Sequence, residues 1–325
     1  MTTPGPAEQM IVTHDLARTF TSRKGDIEAV RGVDLAIGAG EIFGFLGPNG
    51  AVKTTTLRML ATLLPPTAGE ATVAGADLRR EPQRVRERIG YVPQGGSTDP
   101  AETGRGELVL QGRMYGMDKA AAQTRAREVL SALDLEAAAD RKIATYSGGM
   151  KRRLDVGLGI VHRPAVLFLD EPTTGLDPQG RARMWDEIRR LRESGTTVFL
   201  TTHYLEEADA LADRLAIIDQ GRIVAEGTAD ELKRQVAGDV VTLGVNGATE
   251  RVLQTVRTQP FVREASGADG VVRLYVDRGE TAVPLLLRLL DGAGLEAASI
   301  ALHRPSLDDV FLRQTGRSLR DDAAA

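Results

Sequence analysis

An α/β core followed by a small α+β module is the fold class that this sequence predicts, and three observations predict it. Apolar runs end in polar residues at Val166 to Pro172 and Thr197 to His203, as buried parallel strands do when they deliver chemical groups to one edge. A glycine-rich stretch, Gly47 to Thr55, lies between a buried strand, Glu41 to Leu46, and a helix that opens near Lys53. From about Asp239 the pattern changes to the βαββαβ spacing of a split βαβ unit. The expected division is a loose terminus over 1–9, a core over 10–237 with a helical insert at about 95–160, a small domain over 238–316 and a frayed tail over 317–325.

The 325 residues suffice for one large or two ordinary domains, and 42% hydrophobic with 26% charged content describes a globular chain. No run approaches the ~18–20 apolar residues needed to cross a bilayer. Met1 to Met10 lacks the basic-then-apolar pattern of a secretion leader, so the chain is expected neither to be secreted nor to span a membrane by itself. Zero cysteines exclude disulfides and thiolate metal sites, which fits a cytosolic setting. A net charge of −4 gives no overall drive toward nucleic acid or anionic lipid, and no nucleic-acid partner is expected. The basic runs Arg79-Arg80 and Arg84 to Arg86 read as solvated helix faces, whereas Lys151 to Arg153 adjoins a motif.

Met10 to Phe20 and Ile27 to Ile37 alternate as strands and are expected to pair antiparallel across a turn at Ser22 to Asp26. The helix after Gly47 to Thr55 carries Leu57, Leu60 and Leu64 at helical spacing and breaks at Pro65-Pro66. Glu70 to Val73 reads as a short strand, Gly75-Ala76-Asp77 as a turn, Pro82 to Arg88 as a helix, and Ile89 to Gln94 as a strand ending on glutamine. Glu107 to Gly116 and Lys119 to Leu133 form the helical insert. Tyr146-Ser147-Gly148-Gly149 opens a helix that runs to about Val161, and Leu215 to Ile218 with Arg222 to Glu226 read as a closing hairpin. In the small domain Pro284 is expected in the first turn of its helix, and Ser306 as the cap of a last helix.

Strand, tight loop and helix is the context a phosphate-binding loop needs, because backbone N–H groups and a helix N-terminus converge on one anion. Lys53 would reach the terminal phosphates, and the Thr54 hydroxyl would complete a Mg²⁺ shell. Ser147-Gly148-Gly149 makes a second anion-binding terminus of the same kind. Asp170 at the end of an apolar strand can hold Mg²⁺ through its water shell, and Glu171 can polarise an attacking water. His203 ends the next such strand, and Phe20 is the aromatic available to stack on a base.

Together Gly47 to Thr54, Gln94, Ser147-Gly148-Gly149-Met150, Leu167 to Glu171, Asp177 and His203 resemble the ATP-binding subunit of an ABC transporter over roughly residues 10–235. The ending Pro305-Ser306-Leu307-Asp308-Asp309-Val310-Phe311-Leu312 resembles the C-terminal domain of the daunorubicin-resistance type of drug-export ATPase. The resemblance implies a P-loop NTPase core with an antiparallel β subdomain and a helical subdomain. It implies adenine on Phe20, and phosphates on Gly47, Pro48, Asn49, Gly50, Ala51, Val52, Lys53, Thr54 and Thr55. Thr54, Gln94 and Asp170 would surround Mg²⁺, with Glu171 as general base and His203 as γ-phosphate sensor. Two subunits would pair head to tail, Ser147, Gly148 and Gly149 closing on the ATP of the partner and Asp177 linking the two sites. The helical insert would press on a separately encoded membrane permease, placing the chain at the cytoplasmic face of the membrane as a motor for efflux of a drug or other small hydrophobic compound.

Val52 departs from the family pattern, which has glycine before the lysine. If the loop demanded a positive φ there, the β-branched side chain would cost about 1–3 kcal/mol and weaken turnover. The alternative reading is therefore a nucleotide-weak or non-hydrolysing partner subunit within a heterodimer. A soluble ATPase of ribosomes or DNA is disfavoured, because such proteins carry two cassettes or a long coiled coil. The C-terminal module shows no catalytic cluster and is expected to serve dimerisation or regulation.

Overall fold

The computed structural model describes residues 9–22, 25–48, 51–236 and 238–316. The expected loose terminus and tail fall almost wholly outside these residues, as do Asn49 and Gly50 of the phosphate loop. The chain divides into two compact units, the first ending at Thr228 and the second beginning at Ala229.

The first unit opens with β1 (Gln9–Ser22) and β2 (Gly25–Gly38), paired antiparallel with Phe20 opposite Ile27. Next come β3 (Ile42–Leu46), α1 (Ala51–Leu60), β4 (Ala68–Val73) and β5 (Ala76–Asp77). Leu64, expected on the helix, lies beyond α1, because Thr62 takes a φ of 61° and turns the chain first. Ala76 and Asp77, expected as a turn, pair with β4. Then follow α2 (Pro82–Arg88), β6 (Ile89–Val92), α3 (Gly104–Met114), α4 (Lys119–Ala132) and α5 (Gly148–Ile160). The unit closes with β7 (Val166–Asp170), α6 (Pro178–Glu193), β8 (Thr197–Thr202), α7 (Leu205–Leu211), β9 (Arg214–Asp219) and β10 (Arg222–Gly227). Helix α6 has no counterpart in the sequence reading, although Asp177-Pro178 is a cap followed by proline at the first helical position.

Strands β2, β1, β4 and β5 make one antiparallel sheet. The second sheet has the order β10-β9-β3-β8-β7-β6, parallel throughout except for β10. Every residue of β3, β7 and β8 is buried, as expected for strands covered on both faces. Their alternation splits the core in two. Phe43, Phe45, Phe168 and Phe199 pack toward α1 and the antiparallel sheet, with Phe199 at 5.4–5.8 Å from the other three rings. Leu167, Leu169, Val198 and Leu200 face α4, α5 and α6. Helix α5 lies so close to β6 that a Cβ at Gly90 would sit 2.1 Å from the carbonyl oxygen of Gly159.

The second unit contains α8 (Ala229–Gln235), β11 (Asp239–Val245), α9 (Thr249–Arg257), β12 (Val262–Ala268), β13 (Val271–Val276), α10 (Gly279–Gly292), β14 (Ala297–His303) and α11 (Leu307–Thr315). Its antiparallel sheet runs β12-β13-β11-β14, the expected split βαβ arrangement. Pro284 is not in the first turn of its helix. Helix α10 begins at Gly279, whose N–H donates to the Asp239 carboxylate at 2.7 Å, and the apolar positions Ala282, Leu286 and Leu290 bury it across the proline. Ser306 caps α11 with a reciprocal bond to Asp309, and Gly316 ends the helix in the left-handed region.

Candidate functional site

Because β3, β8, β7 and β6 are neighbours and parallel, their C-terminal ends deliver Gly47, His203, Asp170 with Glu171, and Gln94 to one edge. Ligands bind at this edge in open α/β sheets. Gly47 has a packing reason to be glycine: a Cβ there would lie 2.6 Å from the Ile218 carbonyl oxygen on β9.

Lys53 is 2% exposed, and its ammonium donates to the carbonyls of Gly47 (2.9 Å) and Pro48 (2.8 Å) while standing 3.4 Å from the Glu171 carboxylate. Burial lowers its pKa, opposed by the charges of Glu171 and Asp170. Thr54 donates to Asp170 Oδ1 at 3.1 Å, and Thr201 donates to the same oxygen at 2.6 Å. Glu171 Oε2 accepts from Gln94 Nε2 (2.9 Å) and Thr174 Oγ1 (3.2 Å) and meets His203 Nδ1 at 3.1 Å. Burial pushes the Glu171 carboxyl up, but the His203 hydrogen bond and the Lys53 charge outweigh it and hold the group down to about 2. The structure thus gathers Lys53, Thr54, Gln94, Asp170, Glu171 and His203. Gln94 bonds to Glu171 and not to the Thr54–Asp170 pair with which it was grouped.

Strain sits elsewhere than expected. Val52 lies in the first turn of α1, is not among the residues of positive φ, and packs half-buried against the core. The expected backbone penalty at Val52 is therefore corrected. Among the described site residues Glu171 adopts the left-handed region, at φ 46°, held by its N–H donating to the Thr201 carbonyl and hydroxyl, each at 3.1 Å. Val52→Gly accordingly relieves no strain. It should change ATP affinity by less than about tenfold and, at about 0.5–1 kcal/mol of lost helix stability, lower the melting temperature by about 1–4 °C. Calorimetric titration and thermal melts check both, and a gain of tenfold or more in affinity would show that the valine side chain obstructs the phosphates.

The low Glu171 pKa also sets a pH dependence. A carboxyl at about 2 when folded and 4.5 when unfolded binds fewer protons in the native state between those values. Its contribution to stability is complete above about pH 4.5 and is lost as the pH falls toward 2. Melting curves from pH 6 to 2 should therefore be flatter for Glu171→Gln; parallel curves would contradict the assignment.

Ser147 caps α5, accepting from the Met150 N–H at 3.2 Å, and Gly148 and Gly149 face open space. Asp177 caps α6 by accepting from the Gly180 N–H at 3.0 Å. Both caps line one cavity of about 430 Å³ that also receives Arg153 and Arg183. Phe20 stands apart, half-buried on β1 in the antiparallel sheet, with the Arg18 guanidinium 4.8 Å from its ring centre. Thr55 is buried. Thr54, Gln94 and Asp170 supply hydroxyl, amide and carboxylate oxygens, the hard donors that suit Mg²⁺. Among the described residues no group of three or more His, Cys, Asp or Glu could hold a metal by itself.

Sequence reasoning missed Arg152. It lies in the basic run Lys151 to Arg153, yet it is 6% exposed and donates to four carbonyls behind the acid pair. The signal was its place on a helix whose next two turns are apolar apart from Asp155.

Fold and site together define an ATP-binding cassette: a phosphate loop after β3, an acid pair at the end of β7 on the same sheet edge, and a capped glycine terminus on a separate helix. The family model described as ABC transporter matches residues 30–174, and that of the ATP-binding protein DrrA1-3-like C-terminal domain matches 227–315. The daunorubicin resistance ATP-binding protein DrrA2 of Streptomyces coeruleorubidus is 46% identical over 95% of this chain and 97% of its own. The linearmycin resistance ATP-binding protein LnrL of Bacillus subtilis is 38% identical over 94% and 99%. Among solved structures, the ATP-binding cassette MJ0796, a dimer in a post-hydrolysis state bound to ADP and Pi, matches with a TM-score of 0.62 and 26% identity over 67% of this chain and 98% of that one. The chain belongs to the ATP-binding subunits of ABC transporters, of the drug-resistance type, and is an ABC-type ATPase.

Proposed function

We propose that this chain is the ATP-hydrolysing motor of an exporter, driving efflux of a drug or another small hydrophobic compound through a separate membrane permease. The observation that carries the reading is the Glu171 carboxylate, held charged and in reach of Lys53, Gln94 and His203 on one sheet edge. Lys53 and the N-terminus of α1 bind the β- and γ-phosphates, and Lys53 leaves its carbonyl partners to do so. His203 contacts the γ-phosphate from the adjacent strand, and Glu171 orients the attacking water and takes its proton. Thr54, Gln94 and Asp170 would hold Mg²⁺, which supplies charge neutralisation at the transferred phosphoryl group. Phe20 stacks on adenine.

Ser147, Gly148 and Gly149 cover the ATP of a second subunit, and Asp177 sits in the same cavity to sense that closure. No helix among the described residues is long and apolar enough to cross a membrane, so the transport pathway belongs to the permease, against which the helical insert docks at the cytoplasmic face. The C-terminal unit serves dimerisation or regulation. The non-hydrolysing alternative loses its motive, since Val52 takes ordinary helical backbone.

The test is ATP turnover by the purified chain, with and without its co-expressed permease. Turnover that stops when EDTA removes Mg²⁺, and recovery of the chain with membranes only when the permease is present, are expected. No turnover even with the permease present overturns the motor reading.

A further inference from the structure

Arg152 and Asp155 stand one turn apart on α5, and neither side chain points to solvent: they are 6% and 4% exposed. Arg152 Nε donates to Pro172 O (2.9 Å), Nη1 to Pro93 O (2.6 Å), and Nη2 to Asp170 O (2.9 Å) and Glu171 O (3.2 Å). One planar guanidinium thus satisfies the carbonyls of the acid pair itself, of Pro172 just after it and of Pro93 just before Gln94. Asp155 Oδ1 accepts from the Ser97 N–H (2.9 Å) and hydroxyl (3.4 Å), and a Cβ at Gly96 would lie 3.0 Å from Asp155 Oδ2. The segment 93–98 is therefore gripped at both ends by a single helix turn.

We propose that Arg152 and Asp155 form a clamp that positions the catalytic edge: Arg152 fixes the backbone of Asp170 to Pro172, hence the left-handed Glu171, to the segment that carries Gln94. Both are positioning residues, and neither touches substrate. The fork is what matters. A lysine carries the same charge on a single nitrogen with three donors, without the planar spread that reaches all four carbonyls at once, so Arg152→Lys keeps the charge and loosens the clamp. The attraction between Arg152 and Asp155 offsets part of the cost of burying both groups, since burial lowers the arginine pKa and raises that of the aspartate.

This inference rests on the motor reading for its kinetic test and stands apart from it in a second one. In the nucleotide-free chain, hydrogen exchange at 93–98 and 170–174 should be faster in Arg152→Lys than in the wild type, and at 93–98 in Asp155→Asn. In steady state, Arg152→Lys should lower kcat for ATP by about 10–100-fold, as loss of several hydrogen bonds to a charged group implies, with KM within about threefold. A general loss of folding would move KM and the melting temperature together with kcat. Unchanged exchange, or a kcat within twofold of the wild type, overturns the clamp. If Arg152→Lys melts below the assay temperature, Asp155→Asn decides: a kcat lowered threefold or more at constant KM supports the clamp, and an unchanged kcat overturns it. Wild-type protein that fails to hydrolyse ATP would sink the motor reading, while the exchange experiment would still decide the clamp.

Discussion

Glu171→Gln is expected to lower kcat for ATP by about 10²–10⁴-fold, the usual range for a lost general base, while leaving ATP binding intact. The carboxylate is the convergence point of the site, since Gln94, Thr174 and His203 bond one oxygen and Lys53 faces the other. Glutamine has the same shape but no basicity, and its N–H₂ would meet a cluster that already supplies donors. The same cluster holds the native carboxyl at about 2, so the base is ionised across the physiological range. Single-turnover kinetics and a nucleotide-binding titration check the two halves separately. Turnover within tenfold of the wild type would remove Glu171 from the mechanism.

Lys53→Met should weaken ATP binding by roughly 10–150-fold, because a charge-assisted hydrogen bond contributes about 1.5–3 kcal/mol and each 1.4 kcal/mol is tenfold. Methionine matches the length of the stem but leaves the Gly47 and Pro48 carbonyls without the donor they have at 2.9 and 2.8 Å. Calorimetric titration with MgATP measures the effect. A dissociation constant within threefold of the native one would mean that Lys53 serves only the loop and the Glu171 carboxylate.

Much of this architecture was legible in the residues. The apolar stretches Val166 to Leu169 and Val198 to Leu200 marked two buried strands, because strands covered on both faces carry near-continuous apolar side chains. Ser306 announced the cap of α11, a contact local in sequence, and the structure completes it with the reciprocal bond to Asp309. Helix α6 escaped because its exposed face is dense in arginine and its apolar stripe is narrow, although Asp177-Pro178 marked its start. The α10 boundary slipped because a proline was read as a helix start, where the apolar stripe of Ala282, Leu286 and Leu290 carries the helix past it.

Local sequence thus determined the strand–loop–helix around Lys53, the acid pair at the end of β7 and the capped terminus at Ser147, since each depends on neighbours along the chain. The tertiary structure alone decided that Val52 takes helical backbone while Glu171 takes the left-handed one. It also decided that Gln94 meets Glu171 and that Arg152 is buried among four carbonyls. Those outcomes depend on the β3-β8-β7-β6 strand order and on how closely α5 approaches β6, and no pattern of neighbouring residues encodes contacts across such separations.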